Sequence, residues 1–197
     1  MIEKYRVKDT PLFTYLIHIS PEMTALIIVC SPSLDSLSNN IYADLDANKK
    51  HTSFDEEFMN FVDNHLDKAI SEDEPERTLI LLDDVASELK SSMNLQRRLS
   101  RLIMNRRHKY CSLIITTQYF RLVPLPIRSN ISHLIMFRPT NNKELEALME
   151  LIPISKTDFK DLIDFIFDKK YRFLFLDLSL KKSNTYRYFK NFDRILI

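Results

Sequence analysis

Residues 24–30 read TALIIVC and residues 78–82 read TLILL, two unbroken apolar runs of strand length with polar residues on either side. A run with no polar face predicts a strand covered on both sides, as in a parallel sheet. The runs CSLIITT (111–117), SHLIMF (132–137) and YRFLFLDL (171–178) read as further strands. Between them the period lengthens. Phe54, Phe58, Phe61, Val62 and Leu66 recur at helical spacing, which predicts an amphipathic helix over 54–69. Further helices are expected over 11–20 (with Pro11 in the first turn), 92–107, 141–150 and 155–168. SPSLDSLSNN, ISEDEPER and the Pro-punctuated YFRLVPLPIRSN have loop composition. Apolar strands alternating with helices imply an α/β fold with a mostly parallel sheet flanked by helices. Ligands in such folds sit beyond the carboxyl ends of the strands.

Composition narrows the picture in three respects. A chain of 197 residues with 45% hydrophobic residues suits one domain spanning 1–197 and can build a sizeable core. Lys and Arg number 28 against 27 Asp and Glu, so net charge by itself does not argue for nucleic acid. Cys30 and Cys111 lie in apolar runs and read as reduced core thiols in an intracellular protein, not as a zinc site. No apolar run approaches the roughly 18 residues that span a membrane. There is no glycine anywhere in the chain. About 7% is usual, and glycine is what lets backbone wrap closely around a phosphate.

The strand TLILL ends in two carboxylates, Asp83 and Asp84. Acids at a buried strand end need a cation, a donor or a water. The pair suits a division of labour in phosphoryl transfer, with Asp83 on the side of a hydrated Mg²⁺ and Asp84 polarising a water. Asp84 equally suits a helix N-cap, since DVASEL could begin a helix. Gln118 ends the next strand, where a neutral amide could sense a phosphate oxygen or simply satisfy backbone groups. On 94–109, Arg97, Arg98 and Arg101 with Arg106, Arg107 and Lys109 form a basic stripe opposite Leu95, Leu99, Leu102 and Ile103. It could track DNA phosphates or pair with acids of a neighbour. The basic and aromatic C-terminal stretch, KKYRFLFLDLSLKKSNTYRYFK, reads better as core and edge packing than as a surface for stacking bases.

The order LILLDD, then NRRHKYCSLIITTQ, then PLPIRSNISHLIMF resembles the FtsK–HerA superfamily of DNA-pumping ATPases. It is most similar to the genome-packaging ATPases of poxviruses and other large DNA viruses. Arg107 precedes Gln118 by eleven positions, the usual interval in that superfamily, and Ile127, Arg128, Asn130, His133, Ile135 and Phe137 match a later pattern. The resemblance implies a P-loop NTPase-like core of the additional-strand type. Asp83 and Asp84 would be its Walker B pair, Gln118 its polar sensor, and Arg107 an arginine finger reaching a neighbouring subunit's nucleotide. It further implies ATP and Mg²⁺ as cofactors and double-stranded DNA as substrate. The implied partners are a homo-oligomeric ring or intact motor subunits, with capsid portal or vertex proteins. The implied location is the host cytoplasm, the viral assembly site or the virion.

The resemblance also requires a loop ending in Gly-Lys-Ser/Thr before PLFTYLIHI, where the chain reads MIEKYRVKDT. Thr10 falls at the Mg²⁺-binding position, Asp9 replaces the lysine and Lys8 a glycine. The strand that leads into the loop would precede Met1 or be reduced to IEKYRV. The first strand and phosphate loop are thus truncated or degenerate. Two functions follow as expectations: a DNA-packaging ATPase subunit, or a non-catalytic homologue that binds DNA or supports an intact motor.

Overall fold

Asp55, Asn141 and Ser155 each accept a hydrogen bond from the backbone N–H three residues on, from Phe58 (2.9 Å), Glu144 (3.1 Å) and Asp158 (3.1 Å). Each side chain thereby satisfies an orphan donor and sets the start of a helix. The computed structural model describes residues 26–34, 42–71, 76–139, 141–152, 154–179 and 188–195. The helix expected over 11–20, the IEKYRV segment and Thr10 lie outside the described residues.

In chain order the elements are β1 (Leu26–Cys30), β2 (Lys50–His51), α1 (Glu56–Ile70), β3 (Thr78–Asp83), α2 (Ala86–Ser91), α3 (Met93–Asn105) and β4 (Cys111–Thr116). There follow α4 (Leu125–Arg128), β5 (His133–Phe137), α5 (Asn142–Met149), α6 (Lys156–Ile166), β6 (Phe173–Asp177), β7 (Tyr188–Lys190) and β8 (Asp193–Ile195). The chain forms two compact units. The first comprises residues up to Val85 with Arg106–Thr116, the second Ala86–Asn105 with residues from Thr117 onward.

The first unit holds a parallel sheet in the order β2-β1-β3-β4. The expected α/β class with a mostly parallel sheet is realised here. Consecutive residues of its central strands are buried, Ile28, Val29 and Cys30 in β1 and Ile80, Leu81 and Leu82 in β3. That removes both faces from water and explains why these runs lack alternation. Tyr42 joins Val29, Leu34 and Leu81 in one buried cluster. Burial, with the nearby charge of Asp83 adding to it, pushes the Tyr42 phenol up to about 12. Burial likewise pushes the Cys111 thiol up to about 11.

The second unit departs from the expected pattern of strands. SHLIMF and YRFLFLDL do not extend the parallel sheet. β5 and β6 pair antiparallel and continue through β7 to β8 in a separate four-stranded sheet. β6 alternates half-buried and buried residues along its length, the signature of a sheet with one covered face. The helix expected over 92–107 is α3, and the short α2 precedes it; between the two, the Ser92 hydroxyl accepts from the N–H of Leu95 at 3.3 Å. The Pro-rich loop contains the short α4, with proline in its first turn.

Arg128 at the end of α4 is buried. It donates from Nη1 to the Ala147 carbonyl (3.2 Å), pairs through Nη2 with Glu150 (3.1 Å), and lies 5.4 Å over the Phe120 ring. Asn130 Nδ2 donates to the Pro126 carbonyl at 2.8 Å. These two residues of the IR-N pattern therefore fasten α4 to itself and to α5. Nearby, buried Glu144 takes the Arg121 side chain at 3.1 Å and its backbone N–H at 3.1 Å.

Without glycine, the left-handed positions among the described residues fall to Asp84 (φ 54°), Tyr110 (φ 47°), Tyr171 (φ 64°) and Asn191 (φ 57°). Asn191 suits its place in the two-residue turn between β7 and β8, and its side chain accepts from the Phe173 N–H at 3.2 Å.

Two outcomes follow from this packing. Arg128→Ala is expected to lower stability by about 3 kcal/mol, read as a fall in urea midpoint at unchanged slope. Arg128→Lys should recover little, because a single ammonium cannot serve the carbonyl, the carboxylate and the ring together. The raised Tyr42 and Cys111 values mean the fold favours their protonated forms. Their stabilisation is complete below about pH 9 and is lost as pH rises through about 11 to 12, by roughly 2–3 kcal/mol per group. Denaturation followed from pH 8 to 12 should show this loss, and Tyr42→Phe should reduce it.

Candidate functional site

The register of the parallel sheet aligns its strand ends. Cys30 stands opposite Leu82, and Asp83 opposite Thr116. Ser31, Asp83 and Thr116 therefore meet at the carboxyl edge, where ligands of open α/β sheets bind. Both oxygens of the Asp83 carboxylate are engaged. Ser31 Oγ donates to Oδ2 at 2.9 Å, and Thr116 Oγ1 donates to Oδ1. Ser31 is fully buried, lies within 3.0 Å of the Ser33 hydroxyl, and donates its backbone N–H to the His51 carbonyl at 2.9 Å. Two hydroxyl donors, one on each oxygen, fix the plane of the carboxylate.

Asp84 follows directly and is exposed. Its N–H donates to the Thr116 carbonyl at 3.0 Å, tying β3 to β4 one residue beyond the strand. Its φ of 54° turns the chain sharply before α2. A non-glycine residue in this region carries strain, and such strain clusters at functional sites.

Arg107 lies exposed in the turn between α3 and β4, a turn closed by the Cys111 N–H on the Arg106 carbonyl at 2.9 Å. Arg106 and Lys109 leave the basic helix expected over this stretch, because α3 ends at Asn105 and Lys109 pairs with Asp67 at 2.7 Å. Gln118 is exposed two residues after β4, in the second unit. That unit also holds Arg97 and Arg101, both exposed on α3, and Arg98, half-buried there. Leu95, Leu99, Leu102 and Ile103 form the buried face of α3, as their spacing predicts.

Sequence reasoning missed Ser31 and Tyr42. Ser31 opens a stretch of loop composition, and nothing in SPSLDSLSNN distinguishes it from its neighbours. The one available signal was its place directly after a strand parallel to β3. Tyr42 is separated from β1 by the rest of that loop, and no local pattern marks it as core.

Comparison with known proteins adds to this geometry. No curated protein sequence gives a significant match. Among solved structures, the chain is similar to the DNA-packaging ATPase B204 from Sulfolobus turreted icosahedral virus. That match has a TM-score of 0.61 and 16% identity, and covers 84% of this chain and 83% of the other. It is similar also to the genome-packaging NTPase B204 from Sulfolobus turreted icosahedral virus 2 in complex with ATP-gammaS, with a TM-score of 0.60, 16% identity and 83% of each chain covered. The same NTPase in complex with AMPPCP gives a TM-score of 0.58 at 15% identity, over 84% of this chain and 86% of the other. At such identities the likeness establishes a shared fold. The family model described as the poxvirus A32 protein matches residues 52–171, well over half of the sequence, and the chain belongs to that family.

Proposed function

We propose that this chain is a subunit of a viral DNA-packaging motor of the FtsK–HerA type, coupling ATP hydrolysis to movement of double-stranded DNA into a capsid. One observation carries the reading. The Asp83 carboxylate is oriented at the carboxyl edge of a parallel sheet by Ser31 and Thr116, within the segment matched by the A32 family model. Neighbours of this fold bind ATP-gammaS and AMPPCP, which supports a nucleotide as the ligand.

The residues at this edge suit Mg²⁺. One carboxylate flanked by hydroxyls is the hard oxygen set that this ion takes through its water shell, together with substrate phosphates. Among the described residues no group of three or more His, Cys, Asp or Glu gathers to hold a metal alone. The remaining ligands of an ion at Asp83 would be water and phosphate oxygens. A nucleotide fits less well. The chain has no glycine, and by the family resemblance Asp9 stands where a lysine would meet the phosphates. Phosphate recognition has no backbone cradle of the usual kind to rest on.

On this reading Asp83 is the metal-side acid and Ser31 and Thr116 hold its plane. Exposed Asp84 accepts the proton of an attacking water. Bound Mg²⁺ would neutralise phosphate charge. Gln118 serves as the polar sensor and Thr10 as a metal-side hydroxyl, both on the family resemblance. Arg107, exposed in its turn, reaches a neighbouring subunit as an arginine finger, which supports a homo-oligomeric ring. Arg97, Arg98 and Arg101 follow DNA phosphates. Portal or vertex proteins of the capsid complete the partners, inside the host cell at the site of virion assembly. The two units act as one ATPase-like domain over 1–197, supported by a chain that leaves the first unit after Val85, returns at Arg106 and leaves again after Thr116. Asp9 in the place of a phosphate-binding lysine, by the family resemblance, favours a second reading, a non-catalytic homologue that assembles with intact motor subunits.

Titrating a fluorescent ATP analogue with Mg²⁺ separates the two. Saturable binding that Asp83→Ala abolishes and Ser31→Ala weakens about 3- to 10-fold is the expected result. No binding at millimolar nucleotide would leave the non-catalytic reading. Independently, Arg97→Ala and Arg101→Ala should weaken duplex binding uniformly across sequences, each reducing the log-affinity against log-salt slope by about 1. An unchanged slope would remove α3 from the DNA path.

A further inference from the structure

The second sheet has two unlike faces. Leu134, Met136, Leu174, Leu176 and Tyr188 turn one face into the core of the second unit. Residues of opposite parity form the other face, Phe137 opposite Phe173 and Phe175 opposite Phe189. Phe192, in the turn between β7 and β8, joins them, and neighbouring rings lie 5.1 to 6.0 Å apart. His133 stacks on Phe175 at 5.9 Å with the rings nearly parallel, beside Asp177. The solvent side of an antiparallel sheet is ordinarily polar. Here Phe137 is 60% exposed and Phe192 56%. A contiguous aromatic patch of this kind marks an interaction site.

Its surroundings carry charge of mostly one sign. Arg138 follows β5 and Arg172 precedes β6, so both flank the Phe137–Phe173 pair. Lys169 and Lys170 are exposed just upstream. Of the acids near that end, Asp168 is taken up by Lys190 at 2.9 Å, and Asp193 opens β8. Between the lysines and Arg172 stands Tyr171, 89% exposed with φ 64°. A bulky residue in the left-handed region is strained, and here the strain presents an aromatic ring to solvent.

We propose that this face binds single-stranded nucleic acid, its unpaired bases stacking on Phe137, Phe192 and Tyr171 and its phosphates following the rim of Arg138, Lys169 and Arg172. Aromatic platforms edged by cations hold unpaired strands in this way, because every base offers a π-face. A duplex keeps its bases stacked on each other and leaves the rings without a partner. A second copy docked face to face about a twofold axis would set like cations against one another. A polyanion with free apolar faces satisfies ring and rim together. The surface lies wholly in the second unit and does not depend on nucleotide binding at Asp83.

The test uses the full chain and fluorescence anisotropy of a labelled oligothymidine, its oligouridine counterpart and a duplex of equal length at one salt concentration. The single strands should bind at least about tenfold tighter than the duplex. Phe137→Ala and Phe192→Ala should each weaken them about 5- to 100-fold. Phe137→Tyr should retain binding, which separates stacking from a loss of fold. Tyr171→Gly should weaken binding without lowering the melting temperature, since glycine relieves the left-handed strain. Equal affinity for strand and duplex, or alanine variants that bind like the parent, would overturn the proposal. So would self-association in sedimentation that Phe137→Ala abolishes in a protein with no affinity for the oligonucleotides.

Discussion

The pairing of Asp83 with Thr116 is the register on which the first unit depends. Because side chains alternate faces along a strand, a slip of one residue between β3 and β4 would send Asp83 away from the Thr116 hydroxyl. It would also bring residues meant for one covered face onto the other. The six paired positions from Thr78–Cys111 to Asp83–Thr116 leave no latitude for such a slip, since Leu81 and Leu82 are both buried, on opposite faces. Packing along the whole strand thus holds one carboxylate in place at its end. The Asp84 N–H on the Thr116 carbonyl carries the tie one residue further.

Much of this was legible beforehand because buried parallel strands write themselves as unbroken apolar runs. LIIVC, TLILL and CSLIIT could hardly be anything else, and the order in which they end in Asp83 and Thr116 marked the carboxyl edge that holds the candidate site. The second sheet was harder to read. SHLIMF and YRFLFLDL look like the same kind of run because their outward positions are phenylalanine and isoleucine where water-facing residues would normally be polar. An aromatic face open to solvent and a doubly covered strand have the same composition, and only pairing direction separates them. Ser31 and Tyr42 were illegible for a different reason. Their roles come from contacts with β3 made across the sheet, and their own neighbourhood has no periodic pattern.

Arg128 and Asn130 illustrate how a sequence pattern can mark structure instead of chemistry. Both belong to the pattern running from Ile127 to Phe137 on which part of the family resemblance rests. In this chain they hold α4, one by a buried guanidinium shared among a carbonyl, a carboxylate and a ring, the other by a single bond back to Pro126. The cost of burying the guanidinium is offset at both Nη groups and at the ring, while its buried Nε makes no hydrogen bond.

The absence of glycine has a consequence for the denatured chain. Glycine adds more backbone freedom to the unfolded ensemble than any other residue, so a chain without it starts from a narrower set of conformations. Folding then gives up less entropy along the whole sequence, and the strain at Asp84, Tyr110 and Tyr171 is the local counterpart of that saving. Heat, which destabilises folded chains through their conformational entropy, finds less of it to release here.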